Sequence, residues 1–377
     1  MLEIPPDART WTEIDLEAVR FNVRALRAAS GGTASLMAVV KADAYGHGAV
    51  PVAKAALAAG AARLGVAEVR EAADLRGAGI GVPIHVLGLL LPGEIPAAIA
   101  AGVTPTLHDL ESIAAWAQAS AVSNREISIH VKVDTGMSRL GLAPDAAVEA
   151  CRRVKASTRL RLEGLCTHFA SSAAEDPDSV NRQLELFAAT VARLDAEGLR
   201  PPLLHASNSG AVFGHPAARF DLVRPGIALC GLDPGNAARL GVPLRPSLAW
   251  RARIGLVKEY PAGTAVGYGG TFTARRPTRI ALVCAGYADG YLYALSNRGR
   301  VLVRGRKAPL AGTVTMDYLL ADVTDIPDAA AGDVATLVGR DGEETITADE
   351  LARMAGTIGY DVTCKIGRRV RKFYAGE

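Results

Sequence analysis

Between Ser35 and Arg224 the chain repeats one pattern, a short apolar and partly β-branched run followed by a helical stretch. The runs are SLMAVVK, RLGVA, IHVLG, VTPTLH, ISIHVKVD, LRLEGLCTH, PLLHAS and FDLVR. Segments such as AVPVAKAALAAG, EVREAADLRGAG, DLESIAAWAQAS and NRQLELFAATVARLDAEG lie between most of them. Such alternation imposes parallel strands, because each helix carries the chain back to the same end of the sheet. About eight units close a (β/α)8 TIM-like barrel; a doubly wound open sheet shares the local pattern, and the count favours the barrel. Before the series, Thr10–Ile14 reads as an extra strand. Asp15 then reads as the N-cap of LEAVRFNVRALRAAS, where Leu16, Val19, Val23 and Leu26 share a face.

From Leu244 onward the texture changes to short alternating strands separated by Gly and Pro, with one helical piece, ADELARMAG. This predicts a mostly-β C-terminal domain. The expected division is a barrel over residues 10–240 and the β-strand-rich domain over 241–377, in keeping with a chain of 377 residues. The charge balance is only +3, which argues against nucleic acid or an anionic membrane as partner. RRVRK, at residues 368–372, therefore reads as a solvated strand face. Five widely spaced cysteines without C-x-x-C indicate reduced thiols. No basic segment followed by an apolar one opens the chain, and the apolar run IHVLGLLL stops at Pro92, too short for a bilayer. A cytoplasmic location is expected.

Polar residues cluster at the C-terminal ends of the barrel strands, where the active sites of such barrels form. Lys41 ends the first run; it is either a surface lysine or one desolvated enough to become a Schiff-base nucleophile. Lys132, Asp134 and Arg139 follow another run, His168 the next, His205, Ser207, Asn208 and Ser209 the seventh, and Arg224, Gly226 and Ile227 the eighth. Each alone is compatible with a structural role, but five polar strand ends together point to a site. The seven histidines include no H-E-x-x-H and no zinc-like spacing with cysteine, so no metal is expected. VGYGG does not make a dinucleotide fingerprint.

AVVKADAYGHG resembles the pyridoxal-phosphate signature of the alanine racemases. KVDTGMSRLG, THFA, HASNSG, LVRPGIALCG, VGYGGTF, GYADGY and TMD follow in that family's order, over essentially the whole chain. The resemblance implies a barrel followed by a β-domain, which the N-terminal strand within residues 1–14 joins. It implies a homodimer with shared active sites and a small-molecule substrate, alanine. The implied activity is isomerisation of L-alanine and D-alanine by a two-base mechanism on a pyridoxal 5'-phosphate aldimine, supplying D-alanine for cell-wall peptidoglycan.

The resemblance also implies roles for single residues. Lys41 should hold pyridoxal phosphate and act as one base, and Tyr268 of the other subunit should be the opposite base. Arg139, Met316 and Asp317 should bind substrate. Arg224 should face the pyridine nitrogen, with His168 behind it. Tyr45, Ser209, Gly226, Ile227 and Tyr360 should hold the phosphate, with Asn208 among the cofactor-binding residues. Lys132 matches a lysine carbamylated in many members. Unperturbed lysine and tyrosine titrate at about 10, so both bases need lowering near neutral pH. Burial raises a tyrosine's pKa, so Tyr268 needs a nearby positive charge, expected from the His168–Arg224 region, and activity should peak on the alkaline side.

Three positions depart from the family pattern: Leu292–Tyr293, Thr315 and Arg371. Alternative readings are a racemase of serine or basic amino acids, and a related amino-acid decarboxylase, which would carry a catalytic Cys-Asp pair in the second domain. A non-catalytic barrel-only carrier of the cofactor is a third; it would lack the second domain and Tyr268.

Overall fold

The computed structural model describes residues 2–376, and the chain divides into two compact units. One comprises residues 18–44 and 49–245; the other comprises the residues up to Glu17, Tyr45–Gly48 and everything from Pro246.

The first strand, β1 (Thr10–Asp15), belongs to the second unit, and the next eight form the barrel. These are β2 (Ser35–Val39), β3 (Arg63–Val66), β4 (Ile84–Val86), β5 (Thr104–Leu107), β6 (Ile127–Lys132), β7 (Leu160–Cys166), β8 (Leu203–His205) and β9 (Leu222–Val223). Every pair in the order β8-β7-β6-β5-β4-β3-β2-β9 is parallel. The ring closes where the Asp221 amide donates to Leu204 O (3.1 Å) and the Arg224 amide to Ser207 O (2.9 Å). The outer helices fall where the periodicity places them. Ala49–Ala58 ends ahead of Gly60 and Val69–Gly77 ahead of Gly79, both glycines at positive φ, as helix termination favours. Leu36, Leu64, Ile84, Ile129 and Leu165 are fully or almost fully buried. Among them the barrel also buries polar side chains, His85, His130, His205, Lys132 and Arg224.

The second unit is built on β10 (Leu248–Tyr260), which pairs antiparallel with β1, Thr278–Val283 and Val334–Asp341. β1 then takes Arg371–Ala375 as its parallel neighbour on the other side. Trp250 and Tyr291 are buried in this unit. The predicted helical piece spans Ala348–Ala355, capped by the Thr347 hydroxyl, which accepts from the Glu350 amide. RRVRK differs from its expectation. The strand begins only at Arg371, and Arg369 in the preceding turn pairs with Asp317 (2.8 Å) and Asp289 (3.2 Å). Arg368, Arg369 and Arg371 are exposed as the run of charge suggested, so the departure is that residues 368–370 form a turn and not a strand, and that Arg369 has two carboxylates in reach. Among the described residues no helix is long and apolar enough to cross a membrane.

Candidate active site

β2 delivers Lys41 one residue past Val40, and the backbone then turns left-handed. Ala42, Asp43, Ala44 and Tyr45 have φ of 51°, 54°, 52° and 56°. For side chains with a Cβ this conformation costs roughly 1–2 kcal/mol per residue. The turn is tied down within the barrel unit: Glu71 accepts from the Ala42 amide and Asp43 from the Ala49 amide (2.7 Å). Such local strain is characteristic of functional segments, where surrounding bonds over-determine the backbone.

At the end of β6, Lys132 is buried beside Cys166 of β7, its register partner. Burial lowers the Lys132 ammonium below the ordinary lysine range; the Arg224 and Arg139 charges push the same way, while Cys166 and Asp134 oppose them. The loop that follows is wound around Asp134, whose Oδ1 accepts from the amides of Gly136, Met137 and Ser138 (2.9–3.1 Å). This fixes the exposed Arg139 at the rim.

Arg224 follows β9 and is buried. Its Nη2 donates to Thr167 O (2.7 Å) and Ala206 O (3.1 Å), and its Nη1 to His205 Nδ1 (2.8 Å). None of these bonds uses Nε. His168, expected directly behind Arg224, is the longer contact at 3.5 Å. Burial, together with the charges of Arg224, Lys132, Arg139 and Lys41, pushes His168 down to about 3. The imidazole is therefore neutral, and the positive charge expected of this region is the guanidinium's. His205, noted in the sequence only as a strand-end polar residue, is the histidine that touches Arg224 most closely.

Ser209 opens the helix Ser209–Gly214, and its Oγ accepts from the amides of Gly226 (3.0 Å) and Ala228 (3.4 Å). Both bonds use hydroxyl lone pairs and leave its proton for an outside acceptor. Gly226 precedes the helical turn Ile227–Cys230, whose leading amides have no acceptor within their own turn. Asn208 caps Ser209–Gly214: its Oδ1 accepts from the Ala211 amide (3.1 Å) and the Ser172 hydroxyl (2.6 Å). Asn208, expected among the cofactor-binding residues, thus spends its side-chain carbonyl on the helix start.

In the second unit, Tyr268 is 76% exposed. Gly267, Gly269 and Gly270 around it all have positive φ (74°, 71° and 57°), which a residue with Cβ resists. VGYGG is thus a backbone device that pushes one phenol outward. Met316 and Asp317 lie on a turn that packs on the Gly286–Gly290 turn; the Ala288 amide donates to Met316 O (3.0 Å). A Cβ on Gly286 would lie 2.3 Å from Thr315 O, so this seat requires glycine. Thr315, a departure from the family pattern, closes its own turn by donating to Tyr318 O (2.9 Å) and accepting from the Tyr318 amide (3.1 Å). Tyr293, the other notable departure, packs edge-on to Tyr287 and is 61% exposed. Tyr45 and Tyr360 are half-buried in the same unit.

The model of the alanine racemase N-terminal domain matches residues 14–234, and that of the alanine racemase C-terminal domain residues 247–374. The chain belongs to the alanine racemase family. The alanine racemase of Symbiobacterium thermophilum is 46% identical over 98% of this chain and 97% of its own length. That of Halothermothrix orenii is 42% identical over 97% and 96%. Among solved structures, the alanine racemase from D-cycloserine-producing Streptomyces lavendulae superposes with a TM-score of 0.92 at 40% identity, covering 100% of this chain and 98% of that one. The Bacillus anthracis alanine racemase with bound L-Ala-P gives 0.92 at 34% identity, covering 99% and 96%. The barrel followed by a mostly-β domain is thus the alanine racemase fold, and the chain is an isomerase of that family.

Proposed function

We propose that this alanine racemase family member interconverts L-alanine and D-alanine with pyridoxal 5'-phosphate, and that it supplies D-alanine for cell-wall peptidoglycan. The observation that carries the cofactor assignment is Arg224: a buried guanidinium whose Nη atoms are engaged and whose Nε–H remains for a ring nitrogen. Ser209 and the turn at Gly226–Ile227 offer an O–H and amides to an anion, which suits a phosphate; Tyr45 and Tyr360 are assigned as further neutral donors. In the present structure the Gly226 amide is taken by Ser209 Oγ, so phosphate would compete with that bond.

When bound, the cofactor supplies an electron sink for the Cα–H bond of the amino acid. Lys41 holds it and moves a proton at its Nζ on one face of Cα. Tyr268 of the partner subunit moves one at its Oη on the other face. Two bases on opposite faces invert Cα without turning the substrate over. The neutral His168, near Arg224, is assigned as the donor toward the phenolate form of Tyr268. Arg139 orients the substrate. Met316 meets the substrate carboxylate through its backbone, with Asp317 beside it. Lys132, its ammonium destabilised by burial, is suited to react with CO2 as the free amine; the resulting carbamate would sit against Arg139. The exposed Tyr268 and Met316 accord with a homodimer in which each site borrows from its partner. The enzyme is read as cytoplasmic.

The purified protein with pyridoxal phosphate should convert L-alanine in heavy water to D-alanine carrying deuterium at Cα. Deuterium with retained L configuration would mean that one base works and Tyr268 is misassigned. No exchange at all would mean that alanine is not the substrate, and serine, lysine and arginine would be tried next.

A further inference from the structure

A column of polar side chains runs through the barrel interior from Arg224. Arg224 Nη1 donates to His205 Nδ1 at 2.8 Å, and His205 Nε2 lies 2.7 Å from His130 Nδ1. His130 Nε2 lies 3.4 Å from Glu163 Oε2, and neither atom has another hydrogen-bond partner among the described residues. Glu163 Oε1 accepts from Arg63 Nη1 (3.0 Å), which also reaches His85 Nε2 at 3.1 Å. His85, His130 and His205 are fully buried, with neighbouring ring centroids 4.6 and 4.9 Å apart. Room for this column is built in: a Cβ on Gly164 would fall 2.4 Å from the His130 ring. His85, His130 and Glu163 offer ligand atoms within 4.8 Å of one another, but the Arg63 guanidinium already places a cation against two of them.

The ends of the column dictate its protons. A guanidinium only donates, so His205 Nδ1 must accept and its proton sits on Nε2. His205 then donates to His130 Nδ1, so the proton of His130 sits on Nε2 and points at Glu163, a carboxylate that only accepts. Both ends agree on a single direction. Reversal would set N–H against N–H at Arg224 and leave buried donors without acceptors.

We infer that Glu163 and His130 are positioning residues for Arg224: the carboxylate at the far end orders the histidine tautomers so that His205 presents a lone pair that holds the guanidinium in place. The inference rests on the reading of Arg224 as partner of the ring nitrogen, but the column is testable without it.

Nitrogen NMR of 15N-histidine-labelled protein, with and without pyridoxal phosphate, reads the tautomers directly. His205 and His130 should be neutral with the proton on Nε2, His85 with the proton on Nδ1, and a coupling should cross from His205 Nε2 to His130 Nδ1. A proton on His205 Nδ1 in the unsubstituted protein overturns the inference, whatever any variant does. Glu163→Met removes the acceptor: the His130 tautomer should become mixed, and kcat should fall about 10- to 100-fold with KM for L-alanine within about twofold. Glu163→Gln keeps an acceptor oxygen and should restore kcat to within about threefold. A folded Glu163→Met protein with unchanged tautomers and kcat also overturns it. Should Glu163→Met fail to fold, the unsubstituted tautomers and Glu163→Gln decide. If the unsubstituted protein does not racemise alanine, the proposed function fails while the tautomer result still judges the column.

Discussion

Arg224 donates hydrogen bonds but keeps its protons, because a guanidinium is not deprotonated in proteins even where burial lowers its pKa. Facing a ring nitrogen, it would draw less electron density into the ring than a protonated nitrogen paired with a carboxylate does. Arg224→Glu should therefore raise transamination relative to racemisation, seen as pyruvate formed per D-alanine; an unchanged ratio would remove this explanation of reaction choice. The left-handed turn after Lys41 makes a second prediction. Ala42 is exposed and has φ 51°, so Ala42→Gly relieves backbone strain without losing packing. Glycine's extra unfolded-state freedom offsets part of the gain, leaving a stabilisation of about 0.5–1 kcal/mol by urea denaturation. Reduced stability would show that the turn is not strained. At this scale the sequence shows Lys41, Arg139 and Arg224 plainly, since each stands beside a strand end within a distinctive run. It hides His130, Glu163 and Arg63. Ser128, His130 and Lys132 alternate along β6, a period-two signal, but which neighbour each meets depends on strand register.

The strands of the barrel carry an inner layer that titrates. Burial lowers His85, His130 and His205 below the usual 6.5, and His168 to about 3, so all four are neutral inside. An unfolded chain takes up these protons as pH falls below 6.5 and the folded protein does not, so stability drops as pH drops. For His168 the loss extends from 6.5 down to about 3. It amounts to about 1.4 kcal/mol per pH unit, or about 2 kcal/mol between pH 6.5 and 5, and the three other histidines act in the same direction. Glu163 acts lower. Burial raises its pKa, but His130 and Arg63 outweigh that and hold it at about 2. Its contribution is complete above 4.5 and is lost as pH falls from there toward 2. Urea denaturation at pH 7 and pH 5 should show about 2 kcal/mol or more of destabilisation at the lower pH; equal stabilities would mean that the histidines accept protons inside the barrel. The same elements were legible as strands from their apolar runs. The buried histidines were not legible as a layer, because single polar residues in apolar strands carry no mark of which way they face.

If, as proposed, each subunit lends its Tyr268 to its partner, neither works alone and activity should depend on assembly. Lys41→Ala and Tyr268→Phe proteins should each be inactive. If subunits exchange, random mixing makes half of the dimers mixed, each with one intact site, and about a quarter of full activity should return. Exchange without recovery would put both bases on one chain. That Tyr268 stands 76% exposed on a glycine-flanked turn is a tertiary fact, since the motif names the residue but not its accessibility. The sequence by itself determined the strand–helix alternation, the change to a β-rich second part and the ordered motifs, because these depend on residue type and local spacing. Tertiary structure alone decided that β1 lies in the second unit's sheet, that Asn208 caps a helix, that Arg369 meets Asp289 and Asp317, and that Arg224 rests on His205. Each of these is a contact between residues far apart along the chain, and it exists only once pairing register and burial bring their atoms within hydrogen-bond reach.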